Sequence, residues 1–170
     1  AESLSTRYKD HIGVIRSWDF NRAVWQYPVI IDNMMNLELL EWASKNSDNS
    51  RFAAIARSHA DVTLKNHFRA DYSCWHVVSY DTITGQPEKK HTRQGYSHES
   101  SWSRGEAWAL YGYVMMYRET QQKHYLAHAK KVANYILTHP RMPEDGIPYW
   151  DYDAPDIPDT YRDASAGAIM

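Results

Sequence analysis

Shifting the chain against itself by 73 positions lays one helical apolar pattern on another: Leu37 falls on Leu110, Phe52 on Tyr125, Ala56 on Ala129, Ala60 on Ala133 and Leu64 on Leu137. Each copy reads as a pair of helices. The first pair is expected at about Ile31 to Ser44 and Arg51 to Phe68, with polar Ser47 to Ser50 between them able to cap the second. The second pair is expected at about Arg104 to Glu119 and Gln122 to His139, where Pro140 stops it. A helical hairpin cannot bury its apolar face alone, so a repeated hairpin implies stacking into a solenoid or a closed ring. Arg162 to Met170 look like the start of a third hairpin. Met170 stops inside an apolar helical pattern, and two hairpins cannot close a ring. Residues 1–170 are therefore expected to be one partial helical domain, truncated at both ends.

The segments between the helices differ in character. In Cys74 to Gln94, Trp75, Val77 and Val78 precede Asp81-Thr82-Ile83-Thr84-Gly85 and Lys89 to Thr92, which predicts a short β-hairpin. Arg141 to Tyr161 holds Pro143, Pro148, Pro155 and Pro158 and cannot be a regular helix. Loops this long in a helical domain are functional or disordered, and its aromatics favour order. Aromatic usage supports a wet cleft: seven Trp and 13 Tyr stand against three Phe. Trp and Tyr offer a flat apolar face with a polar edge, which suits sugar rings.

Other classes fall away. With 19 basic and 21 acidic side chains, no bulk charge attracts nucleic acid or a membrane surface. The apolar runs are short of the roughly 20 residues that span a bilayer. Cys74, the single cysteine, rules out an internal disulfide framework and a cysteine-only zinc site. His124 and His128 have zinc-pair spacing without the HExxH glutamate, and Asp151, Asp153 and Asp156 lack the glycine and terminal glutamate of a calcium loop. No metal and no cofactor is expected.

The residues that open the repeated helices hold the candidate chemistry. If alternate helices run parallel, Asp32, Arg104 and Asp163 lie at one rim, and the β-hairpin carries His76 toward it. Asp32 follows the apolar run Val29-Ile30-Ile31, which can raise its pKa and make it a proton donor; its other reading is a helix N-cap. Ser103 and Glu106 fit a capping box. Arg104 opposes the helix dipole, so it needs a buried acidic partner or an anionic ligand. Trp102 and Trp108 flank it and can stack on a ring, though Trp108 also reads as core.

Three long strings then resemble one family: Tyr27-Pro-Val-Ile-Ile-Asp-Asn-Met-Met-Asn36, Ser101-Trp-Ser-Arg-Gly-Glu-Ala-Trp-Ala-Leu-Tyr-Gly-Tyr113 and Pro148-Tyr-Trp-Asp-Tyr-Asp-Ala-Pro155. Together with Arg162-Asp-Ala-Ser-Ala166 they are similar to the bacterial unsaturated glucuronyl hydrolases of glycoside hydrolase family 88. The resemblance runs from Trp18 onward. It implies an all-α (α/α)6 toroid, here an incomplete segment with a β-hairpin insertion. It also implies removal of 4,5-unsaturated uronic acid from the non-reducing end of lyase-generated, glycosaminoglycan-type oligosaccharides, in the cytoplasm or periplasm.

The implied chemistry is hydration of a vinyl ether. Asp32 protonates C4 and helps water attack C5, and the hemiketal so formed opens. By the same resemblance Trp18, His76, Gln94, Trp102, Arg104 and Trp108 surround the substrate. A second essential aspartate of the family lies ahead of everything in this chain, so residues 1–170 alone are expected to be inactive. A related activity on unsaturated rhamnogalacturonyl fragments of pectin, and a non-catalytic sugar-binding solenoid, remain open alternatives. Neither nucleic acid nor membrane is an expected partner.

Overall fold

The helices form where the apolar spacing places them. In the computed structural model, which describes residues 1–170, the first pair is α2 (Asn33–Lys45) and α3 (Arg51–Asn66), and the second is α4 (Ser103–Thr120) and α5 (Lys123–Thr138). Short α1 (Glu2–Ser5) opens the chain, and α6 (Ala164–Ile169) follows the long loop. Each hairpin buries the shared stripe: Phe52, Ala56 and Ala60 of α3 and Tyr125, Ala129 and Val132 of α5 enter one core with Met34, Leu37, Leu40, Tyr113 and Met116. The repeat weakens toward its end: Ala60 is buried in the core while Ala133 is only half-buried, and Leu64 packs against that core while Leu137 is 76% exposed. The N-cap of α3, Ser50, makes no side-chain capping bond, and Asn49 just ahead of it accepts the Arg51 amide through Oδ1.

Alternate helices run parallel. Going along both, Ile31 lies by Gly105 and Met34 by Gly112, Glu38 bonds Tyr111 and Arg118, and Lys45 pairs with Glu119. The starts of α2 and α4 therefore share one rim. At Gly112 a β-carbon would fall inside the van der Waals envelope of Met34 Cβ. Gly112→Ala is expected to force the two helices apart and destabilise the fold by about 1–3 kcal/mol, read as a lower urea midpoint.

The β content exceeds the expected hairpin. β4 (Val77–Tyr80) and β5 (Pro87–His91) form it, and β3 (Pro28–Ile30) joins as a third antiparallel strand, in the register Ile30↔Val77↔His91. A second hairpin, β1 (Tyr8–Lys9) with β2 (Val14–Ile15), lies near the start of the chain. Tyr27, Val29, Val78 and Tyr80 pack with Ile12 and Val14 in a small second core. The sheet matters because its end aims two residues at the rim. The Ile31 amide bonds the His76 carbonyl at 3.0 Å, so Asp32 and His76 leave adjacent strands together.

One expected role, shared by two polar residues, is corrected. Ser103 and Glu106 form no capping box: α4 has no side-chain cap, and Ser103 Oγ donates to the carbonyl of Tyr149 at 2.6 Å instead. Glu106, fully buried, accepts from the Cys74 amide at 2.9 Å and from Ser101 Oγ at 2.7 Å. Tertiary partners outcompete the local cap because both side chains are enclosed by neighbouring segments. His128 is buried against Phe68 and Tyr113, while His124 pairs with Asp61. Asp151 and Asp153 hold backbone amides: Tyr96 and Asp153 donate to Asp151, and Ser101 donates to Asp153.

Candidate active site

Asp32 stands at the N-cap position of α2, yet its side chain makes no capping bond. A carboxyl that skips the local job is free for another. Its Oδ2 is buried without a hydrogen-bond partner, and its side chain is 13% exposed. Desolvation lifts its pKa to about 6, against the pull of the Arg104 charge. The proton is therefore held into the range where it can be given up near neutral pH.

His76 faces that carboxyl, with Nε2 3.6 Å from Asp32 Oδ2. The imidazole is buried and lies on the Trp102 ring, centroid to centroid 4.3 Å. Its other nitrogen, Nδ1, accepts the backbone amides of Arg93 at 3.1 Å and Gln94 at 3.2 Å. Burial, with the Arg93 charge adding to it, lowers the His76 pKa to about 3.

Arg104 has found the acidic partner its position demanded. Asp163, the N-cap of α6, accepts Nε at 3.0 Å and Nη2 at 2.8 Å, and its Oδ1 also caps the Ala166 amide at 2.9 Å. Asp163 is nearly buried while Arg104 remains 37% exposed, and the guanidinium stands 5.5 Å over the Trp102 ring. With Nε and Nη2 bound to Asp163, Nη1 is the guanidinium nitrogen not engaged by that carboxylate. The sequence marked Asp163 as a rim residue but not as this partner; the only signal was a cation at a helix start.

The remaining candidates spread around this centre. Trp108 is one turn along α4 from Arg104 and lines, with Met35, Asn36, Trp42 and Tyr111, an open trench of about 540 Å³. Trp18 follows Ser17, whose Oγ accepts the Ile30 amide. Its ring stacks on Phe20 at 5.5 Å and meets Trp25 edge-on, not the His76–Trp102 pair. Gln94 is exposed and enters the site through its backbone N–H. Asp32, His76, Trp102 and Arg104 thus form one cluster, and Trp108 extends it.

No family model matches the chain. Known proteins do. Over 170 residues, all of this chain and 42% of the relative, it is 53% identical to an unsaturated glucuronyl hydrolase of Formosa agariphila. It is 38% identical, over 99% of this chain and 42% of the relative, to an unsaturated chondroitin disaccharide hydrolase of Streptococcus pneumoniae. Among solved structures, an unsaturated glucuronyl hydrolase specific for heparin superposes with a TM-score of 0.96 at 48% identity, covering 99% of this chain and 45% of that one. The enzyme from Bacillus sp. GL1 gives a TM-score of 0.90 at 33% identity, with 99% and 44% covered. The chain spans less than half the length of these relatives. No helix of the chain is long and apolar enough to cross a membrane. With helices, strands and the rim cluster all falling within this match, the chain belongs to the unsaturated glucuronyl hydrolases, glycoside hydrolase family 88.

Proposed function

We propose that this chain supplies the acid and the carboxylate clamp of a hydrolase that removes 4,5-unsaturated uronic acid from lyase-generated glycosaminoglycan oligosaccharides. The activity belongs to a protein of the relatives' full length, in which these hairpins form part of an (α/α)6 toroid and the whole of residues 1–170 lies in its catalytic domain. One observation carries the reading: Asp32 is a desolvated carboxyl, pKa about 6, that caps nothing and lies beside a partly exposed cation.

The steps are those the family resemblance implies, assigned here to the residues of this rim. The uronate carboxylate meets Arg104, and Trp102 or Trp108 offers a face for the flat ring. The Asp32 carboxyl adds its proton to C4, which moves positive charge to C5. The Asp32 carboxylate then takes a proton from water as the water oxygen bonds C5, which regenerates the acid. The hemiketal so formed opens and the remaining sugar leaves. His76, Gln94 and Trp18 are assigned to the surroundings of the substrate. The relatives named for glucuronyl and chondroitin disaccharide substrates support this class over pectin fragments.

The test is loss of the ultraviolet absorbance of the conjugated uronate on incubation with unsaturated disaccharides. Absorbance that persists across a glycosaminoglycan panel sinks the reading. Arg104→Ala is expected to weaken disaccharide binding by about 1.5–3 kcal/mol, since a charge-assisted contact is lost. Calorimetric titration of an inactive background measures it, and unchanged affinity removes Arg104 from the clamp.

A further inference from the structure

Two buried polar atoms face each other across the rim without a bond: Asp32 Oδ2 and His76 Nε2 are 3.6 Å apart, and neither has another partner. What His76 can do there is decided on its far side. Backbone amides only donate, so Nδ1, which receives two of them, must accept and cannot carry a proton. Thr92 Oγ1 lies 3.4 Å from the same nitrogen. In the neutral ring the one N–H is then on Nε2, pointing at Asp32. Adding a second proton would set an Nδ1–H against two amide N–H groups, so the ring is closed to proton exchange.

The lock is itself held in place. Thr92 Oγ1 accepts the Gly95 amide at 2.7 Å, and Asp151 Oδ2 accepts the Tyr96 amide at 2.8 Å and Ser100 Oγ at 2.7 Å. A β-carbon at position 95 would sit 2.7 Å from Thr92 Oγ1, 3.1 Å from Asp151 Oδ2 and 3.2 Å from Trp102 Cβ. The turn has no room to shift, because Thr92 Oγ1 is already bonded to the amide of the same residue.

We infer that His76 is a positioning residue for Asp32: fixed as the neutral Nε2–H tautomer by the amides of Arg93 and Gln94, it donates to Oδ2 and leaves Oδ1 to carry the transferable proton. A fixed N–H donor favours the carboxylate over the acid. It stabilises Asp32 once the proton has gone to carbon, and it takes no proton itself. The inference rests on Asp32 being the acid, but the tautomer does not.

Histidine-selective ¹⁵N NMR of the chain tests the tautomer directly, with His76→Gln identifying the signal. The expected result is a proton on Nε2, a bare Nδ1 and no titration between about pH 5 and 8, where ordinary histidines change charge. Gly95→Ala is expected to release the lock, so that Nδ1–H appears while the His59 and His67 signals stay unchanged. A His76 ring that titrates in that range in the unaltered chain, or carries its proton on Nδ1, overturns the inference.

The second arm uses turnover in a protein of full length. The charged and titratable groups near the pair are Asp32 itself at the start of α2, Arg104 and Asp163 at the starts of α4 and α6, Arg93 in the turn, His67, and the buried Cys74. His76→Phe keeps an apolar ring over Trp102 but removes the donor. It is expected to lower kcat by at least about tenfold, with KM less affected, and to move the alkaline limb of the kcat profile upward. His76→Gln, which restores an N–H at a similar reach, is expected to recover part of both. If both variants keep the parental limb and rate, His76 does not act on Asp32. If Asp32→Asn is fully active while the tautomer is as stated, the functional reading fails and not the lock.

Discussion

Asp32→Asn, placed in a protein of the relatives' full length, is expected to cut turnover by at least about 10²-fold and up to 10⁴-fold, the usual contribution of a positioned acid or base. The amide keeps the shape of the carboxyl and its place at the start of α2, so helix and rim stay intact. What disappears is the exchangeable proton. Binding of the unsaturated disaccharide is expected to change much less, since Arg104 and the tryptophans are untouched. A pH profile adds a sign. The Asp32 pKa is raised to about 6, so the acid form is lost as pH rises through that value, and turnover limited by protonation of C4 falls with it. Near-parental turnover in a folded Asp32→Asn protein would show that the residue only marks a helix start.

Glu106 carries the second large effect, on stability. Its Oε1 holds the Cys74 amide and Ser101 Oγ, tying the connection after α3 to the segment ahead of α4. Glu106→Ala leaves both donors buried and unpaired and is expected to cost about 3 kcal/mol. A pH signature distinguishes this from simple loss of volume. Burial raises the Glu106 pKa from the ordinary 4.5 to about 7, so the folded state holds the proton more tightly than the unfolded chain. Its contribution is therefore present in full below about pH 4.5 and is lost as pH rises through about 7, by at most about 3 kcal/mol. Glu106→Gln removes that dependence. Urea midpoints are expected to show the variant gaining on the parent by up to that amount between acid and mildly alkaline pH. Parallel curves would contradict the assignment.

The helices were legible in the sequence because their information is local and repeated. Leu37 with Leu110 and Phe52 with Tyr125 announce both hairpins, and the observed ends differ from expectation by at most two residues. Strand β3 was not legible: Pro28–Ile30 is three residues long and gains its partners from Val77–Ser79, far along the chain. Ser103 and Glu106 show the opposite failure. Their spacing satisfies a local rule, and the fold overrides it with Tyr149, Cys74 and Ser101. The site was legible where a residue broke a local rule, as Arg104 does against the helix dipole. It was hidden where the chemistry lives in backbone amides, as at Arg93 and Gln94, which no side-chain pattern reveals.

The parallel course of α2 and α4 has a consequence for any attempt to dissect this rim by substitution. Each helix start is the positive end of a macrodipole equivalent to roughly half a positive charge, and the two lie at the same end. That charge is written in the direction of the main chain. An alanine scan of the rim can remove Arg104 and neutralise Asp163, yet it leaves this contribution in place in every variant. The residual preference for an anionic sugar, measured after the side chains have been stripped, is thus the share that the backbone supplies.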